Sequence, residues 1–459
     1  MKGLVISGDR SGSGKTSITL GIAALLARKY RVQTYKVGMD YIDPSYLTAV
    51  AGRPCRNLDG YVMSGGELDR IFLHGAQGAG VALIEGVRGL FEGAESLGDS
   101  GSTAEIAKRM DLPVVLVINA RSITRSAAAM VRGFMAFDPS IRIRGVILNN
   151  IGGRTHREKS VQAVEHYCGI PVIGAIPHDA GIGLTMRHLG LVPYREGQEQ
   201  DAFRERVERI TRIVEEHVDM DQLLSIARDI EIPVTRDPLF APVLAPDVRV
   251  GIAMDEAFTF YYADLFDILP ALGAQVIPFS PVHDRLPDAD GYVIGGGYPE
   301  VFGPALEANQ GMREAIRDTS RNAVPLYAEC GGLMYLTNSL TIGTGWQGKE
   351  HEERSEFCGV FSGTTRIPAR RIVSYVEGVA RAESPFGAGP FRGHEFHYSD
   401  VDLAPETDYA YRLSRGIGIR DGNDGAYRKR TLASYLHLHP VTARKFWEGF
   451  VAACRSTAG

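Results

Sequence analysis

The stretch GLVISGDRSGSGKTS, residues 3–17, constrains this chain more than any other. A β-rich apolar run, residues 3–8, enters a loop of glycine and serine, and a helical pattern begins at Lys15. That strand–loop–helix order is what a phosphate-binding loop requires. Gly12 and Gly14 let backbone N–H groups approach phosphate oxygens. Lys15 adds a point charge, Thr16 can hold Mg²⁺ with Ser17 beside it, and the helix N-terminus contributes its dipole. Five residues rather than the usual four separate Gly8 from Gly14, an extension that the loop glycines make tolerable. The competing reading, a Gly/Ser turn with a solvated lysine, leaves the flanking strand and helix unexplained. ATP and Mg²⁺ are therefore the expected ligands.

Residues 32–37, 81–86, 114–119, 145–149 and 172–176 also read as buried strands, mostly alternating with helical spacing. This predicts a largely parallel sheet with helices on both faces. In such sheets ligands bind at the carboxyl ends of strands. Two acidic clusters fall there: Asp40 and Asp43 in KVGMDYIDP, and Glu85 in ALIEGVRGLFEG. Carboxylates suit the Mg²⁺ of a bound nucleotide, although solvated loop acids are the alternative. Further on, Phe203, Val207, Ile210 and Val214 recur at helical spacing and predict one apolar stripe.

At roughly 100–200 residues per domain, 459 residues leave room for a second domain. The proline-rich stretch 235–247 reads as the connector. Beyond it, residues 248–254, 275–279, 291–294 and 325–327 predict strands of another α/β domain, followed from about residue 341 by a more antiparallel, loop-rich part. A net charge of −5 gives no reason to expect nucleic acid or an anionic membrane as partner. No signal-peptide pattern opens the sequence, and no apolar run approaches the roughly 18 residues of a membrane span. The five cysteines are scattered without a CxxC pair, so a reducing, cytoplasmic location is expected.

The run VPLYAECGGLMYL, residues 324–336, is the second informative stretch. Cys330 follows a β-rich segment, sits beside Gly331 and Gly332, and precedes a helical pattern. That is the layout of a nucleophile elbow, in which the turn exposes the thiol and the helix N-terminus lowers its pKa. The base would come from His437 or His439 in SYLHLHP. Gly296 and Gly297, in GGGYPE after a strand, offer backbone N–H groups for an oxyanion hole. The alternative for Cys330 is an inert buried cysteine. His394 and His397, in RGHEFHYSD, invite a metal reading but show no clear third ligand. Substrate contact or packing suits them better.

These segments, together with GSTAEIAK, GVILNNIGG, MRHLGLVP, AFTFYY and ASYLHLH, resemble in one order the cobyrinic acid a,c-diamide synthase family. The resemblance spans almost the whole chain. It implies a dethiobiotin-synthetase-like P-loop domain over residues 1–235, a linker over 236–247, and a class I, flavodoxin-like glutamine amidotransferase domain over 248–459. It implies that ATP activates a substrate carboxylate as an acyl phosphate and that ammonia from glutamine displaces the phosphate. Carried over by motif, Cys330 attacks glutamine with His437 as its base. Asp40, Ile42, Asp43 and Glu85 lie at the ATP, Mg²⁺ and substrate-carboxylate site, and Asn149 recognises adenine. Many class I glutaminases carry a glutamate two residues after the histidine. Here that residue is His439, so the third member of the triad is unassigned; the subgroup resembled generally lacks that glutamate.

Met39 in KVGMDYIDP and the SYVEG segment, residues 374–378, resemble the methanogen branch that amidates nickel-sirohydrochlorin. Cobyrinate is the alternative substrate; either is a tetrapyrrole polycarboxylate. The cobyric acid synthase relatives fit less well. A reading from another class is a P-loop partitioning or metallochaperone ATPase with a degenerate thiol domain. The intact elbow, and Arg10 where a signature lysine would lie, argue against it. Oligomeric state is left open, a homodimer among the options.

Overall fold

The computed structural model describes residues 1–179, 198–234 and 237–457. The MRHLGLVP segment, residues 186–193, lies outside them. The chain forms two compact units, Met1–Thr235 and Arg236–Gly459.

In the first unit β1 (Lys2–Gly8), β2 (Val32–Val37), β3 (Arg56–Leu58), β4 (Val81–Glu85), β5 (Val114–Asn119), β6 (Ile143–Ile151) and β7 (Val172–Pro177) form one sheet, ordered β3-β2-β4-β1-β5-β6-β7. All these pairings are parallel. Parallel strands need long crossovers, and these are supplied by helices including α1 (Lys15–Ala27) and α2 (Ile42–Ala51). Every residue of β2 and β4 is buried, as expected of strands covered on both faces. Two short strands escaped the sequence reading. β3 has three residues, and β8 (Arg228–Asp229), antiparallel to β1, has two. Neither is long enough to show a period.

The amphipathic stretch becomes two helices, Gln198–His217 and Met220–Ile226. Ile210 and Val214 of the predicted stripe are buried. Gly21 of α1 lets the first of these helices come close: a Cβ on it would stand 2.6 Å from Val214 Cγ2. Valine is too stiff to swing away. Gly21→Ala should therefore cost about 1–2 kcal/mol, overpacking outweighing the gain in helix propensity. Urea unfolding monitored by circular dichroism checks this.

In the second unit β9 (Val248–Ala253), β10 (Ala274–Phe279), β11 (Gly291–Ile294), β12 (Leu326–Glu329) and β21 (Thr431–Ser434) run parallel in the order β10-β9-β11-β12-β21. The sheet continues through antiparallel strands β20 (Asn423–Arg428), β19 (Asp408–Arg415), β16 (Ile372–Ala380) and β17 (Gly389–His397). A separate four-stranded sheet is built from β13 (Ser339–Ile342), β14 (Glu353–Glu356), β15 (Gly363–Ile367) and β18 (Asp400–Leu403). The described part of the proline-rich stretch packs on this unit. Leu239 and Phe240 are buried, and Arg444 Nη1 donates to Leu239 O at 2.9 Å.

Candidate functional site

At the end of β1 the loop turns on Gly12 (φ 77°) and Gly14 (φ 91°), conformations that cost an L side chain energy. A Cβ on Gly14 would also stand 2.2 Å from Asn149 Nδ2. Asn149, at the end of β6, donates from that nitrogen to Ser13 O at 2.9 Å and accepts from Asn150 N at 2.9 Å. Its amide therefore braces the loop from behind, a job the sequence did not suggest. Lys15 and Ser17 are nearly buried at the start of α1. Burial and the Lys36 cation lower the Lys15 pKa.

The carboxyl ends of β1, β2 and β4 bring the acidic residues together. Thr16 Oγ1 donates to Glu85 Oε1 at 2.6 Å and lies 3.3 Å from Asp43 Oδ2. Lys36, unremarked in the sequence reading, sits among them. Its ammonium is 2.5 Å from Asp43 Oδ2 and 2.8 Å from Glu85 Oε1. Burial opposes the charge on Lys36, but the carboxylates outweigh it and raise its pKa. Asp43 is held low: burial pushes it up, and Lys36 more than compensates. Glu85 is raised by burial. Asp40 rises to about 6 through burial and the neighbouring Asp43 charge. Its Oδ1 accepts from Ile42 N at 2.8 Å, which places Asp40 and Ile42 at the start of α2. The signal for Lys36 was a lysine inside an otherwise buried strand, QTYKV. Asp43 Oδ1 and Glu85 Oε2 are buried without a hydrogen-bond donor. Two such anionic oxygens beside a threonine hydroxyl fit a hard cation, with further ligands to come from phosphate and water.

In the second unit β12 ends at Glu329, Cys330 makes the turn, and a short helix, Gly331–Leu336, follows. Cys330 holds φ 48° and ψ −100°, a strained conformation of the kind kept at functional sites. The glycines after it permit close approach: a Cβ on Gly332 would stand 2.2 Å from Ile294 O, and one on Gly331 3.1 Å from Gly297 N. Gly297 is thus beside the elbow. Gly296 lies against the base, since a Cβ there would stand 2.8 Å from His437 Cε1.

The thiol of Cys330 donates to Phe396 O at 3.7 Å, and it also interacts with the His437 side chain. The more than 100 residues between Cys330 and His437 are closed by β12 pairing directly with β21, whose end leads to His437. Asp424 fixes that exit by accepting from Tyr435 N and Leu436 N. The His437 ring is buried, and Nδ1 is 3.0 Å from Glu329 Oε2. Burial works against its protonation, but hydrogen bonds to Cys330 and Glu329 prevail and raise the pKa to about 10. A thiolate–imidazolium pair is the chemistry such a site can support. Glu329 carries no sequence signal of its own beyond standing directly before the nucleophile.

His439 instead brings Nε2 to 3.4 Å from Asp264 Oδ2, a contact without hydrogen-bond geometry. His394 stacks on His437 with ring centroids 5.0 Å apart. Burial and the neighbouring histidines hold its pKa well below the ordinary value. His397 stacks on Tyr435 at 3.7 Å, and its Nδ1 is 2.8 Å from Ser399 O. Among the described residues no three His, Cys, Asp or Glu side chains are grouped to hold a metal. The rings of His394 and His397 pack on His437 and Tyr435 beside the thiol.

A phosphate-binding-loop unit and a cysteine amidotransferase unit on one chain define an ATP-dependent amidoligase that uses glutamine. Residues 4–192 match the CobQ/CobB/MinD/ParA nucleotide binding domain, and residues 249–444 match the CobB/CobQ-like glutamine amidotransferase domain. A cobyrinate a,c-diamide synthase from Methanosarcina acetivorans is 47% identical over 98% of this chain and 95% of its own length. One from Limosilactobacillus reuteri is 39% identical over 96% of each. PurLQS from Thermotoga maritima aligns with 46% of this chain and 99% of its own, at a TM-score of 0.34 and 12% identity. The chain belongs to the cobyrinate a,c-diamide synthase family. Among its described residues no helix is long and apolar enough to cross a membrane.

Proposed function

We propose that this enzyme converts the a and c acetate carboxylates of a tetrapyrrole to amides through acyl phosphates. The observation that carries the proposal is the near full-length similarity to proteins named cobyrinate a,c-diamide synthase. The Lys15 loop binds the triphosphate. A substrate carboxylate oxygen attacks the γ-phosphorus, ADP leaves, and ammonia then displaces phosphate from the acyl carbon. Asp40 and Ile42, at the start of α2, face the carboxylate. Thr16, Asp43 and Glu85 hold Mg²⁺, which neutralises charge on the phosphates when bound. Lys36 keeps Asp43 and Glu85 ionised for that purpose.

At the thiol site Cys330 attacks the glutamine side-chain amide. Gly297 N–H steadies the oxyanion, and the His437 proton goes to departing ammonia. Water then releases glutamate. Glutamine, ATP and the macrocycle are the small-molecule partners.

For the macrocycle, Met39 and the SYVEG segment support nickel-sirohydrochlorin, while the relatives' names support cobyrinate. Side-by-side amidation assays separate the two. We expect both to be amidated, nickel-sirohydrochlorin with the higher kcat/KM. Amidation of cobyrinate alone would reverse the preference, and amidation of neither would rule out a tetrapyrrole acceptor.

A further inference from the structure

We infer that Glu329, the residue immediately before the nucleophile, is the positioning carboxylate of the thiol site, replacing the glutamate that many glutaminases carry after the histidine. The inference rests on the reading of Cys330 and His437 given above and adds a third member to it.

The geometry is specific. Glu329 is nearly buried. Its Oε1 accepts from Tyr327 Oη at 2.6 Å and from Leu438 N at 3.2 Å. With Oε1 committed, Oε2 faces His437 Nδ1 at 3.0 Å. A carboxylate accepts only, so the proton of neutral His437 belongs on Nδ1. That leaves Nε2 bare to take the thiol proton. The carboxylate also stabilises the imidazolium that results.

The expected alternative position is occupied otherwise. His439 is a histidine, is fully buried, and lies against Asp264. Backbone ties hold the set together: Glu329 pairs with Ser434 across β12 and β21, and Cys330 N donates to Ser434 O at 2.7 Å. Carboxylate, nucleophile and base thus share one strand pair. Among the described residues, Cys330, His394 and His397 are further titratable groups acting on His437, with His439 beyond His394. None of these is a carboxylate that could replace Glu329.

Glu329→Gln tests this with almost no change of shape. Leu438 N–H can only donate, so the new amide oxygen must stay at the Oε1 position and its NH₂ must face Nδ1. His437 is then forced into the tautomer protonated at Nε2, which cannot accept the thiol proton. Glutaminase kcat should fall about 10²–10⁴-fold, while ammonia-dependent synthesis continues. Alkylation of Cys330 by iodoacetamide should need a higher pH than in the wild-type protein. Glu329→Asp, which keeps a carboxylate, should recover part of the rate.

Wild-type glutaminase kcat in Glu329→Gln, or a rate loss with an unchanged alkylation profile, overturns the inference. If these variants do not fold, histidine ¹⁵N spectra of the wild-type protein decide: a bare Nδ1 on His437 overturns it. Cys330→Ala keeps the two readings apart. If that variant retains glutaminase activity, the whole thiol-site reading fails. If it is inactive beside a fully active Glu329→Gln, only the inference about Glu329 fails.

Discussion

Cys330→Ala loses glutamine-dependent amide formation by about 10⁴-fold or more, yet makes the same product from ammonium salts at the wild-type rate. The size of the loss follows from the absence of any substitute nucleophile. Removing the attacking atom of a set that acts as a unit costs nearly as much as removing the whole set. The other cysteines of the second unit, Cys358 and Cys454, are buried and their thiols are pushed up to about 12 by burial. Neither can form a thiolate near neutral pH. The selectivity of the loss follows from the division of labour, because the phosphate-binding loop and the Asp43–Glu85 cluster belong to the first unit. Glutamate release and ADP release, measured in parallel with each nitrogen source, read both halves. Loss of the ammonia-dependent reaction in a folded variant would refute the division.

Lys36→Met is expected to be the most damaging change in the first unit. The ammonium is buried against Asp43 and Glu85, with Lys15 acting on both carboxylates as a second, weaker cation. Removing one partner from a buried ion cluster leaves uncompensated charge, which costs about 3–5 kcal/mol. In a unit of this size that lowers Tm by roughly 6–20 °C. The pH dependence gives the cause away. Without Lys36, Asp43 loses the cation that holds its pKa low, and Glu85, already raised by burial, rises further. Their destabilising effect is therefore largest at neutral pH and fades as pH falls through the raised values. Differential scanning calorimetry across that range should show the gap to wild type narrowing in mild acid. A gap independent of pH would assign the loss to packing. ATP-dependent synthesis should vanish with the substitution, since the same carboxylates are the ones proposed to hold the Mg²⁺ of the nucleotide.

Much of this was legible before any coordinates. The strands beginning at Val32, Val114 and Gly291 fall where the apolar runs placed them, because parallel strands buried on both faces read as continuous apolar stretches. The P-loop was legible because Gly12, Gly14, Lys15 and Thr16 act through local backbone geometry. The closeness of Cys330 and His437 was not, because it depends on β12 pairing with β21 across 100 residues. Glu329 and Lys36 were missed for a shared reason. Each is an ionisable side chain with partners on other parts of the fold, and only the fold reveals what it faces. Asn149 was half legible: its place after a strand was visible, but its hydrogen bond to Ser13 was not.

The most direct test of the whole account follows the amide nitrogen. The enzyme is supplied with glutamine labelled with ¹⁵N at the side-chain amide, Mg-ATP and nickel-sirohydrochlorin, and the product is weighed by mass spectrometry. The account predicts two labelled nitrogens per macrocycle, one ADP for each, and no label when Cys330→Ala is fed labelled glutamine with unlabelled ammonium. ATP hydrolysis with no nitrogen transferred to nickel-sirohydrochlorin or to cobyrinate would contradict it.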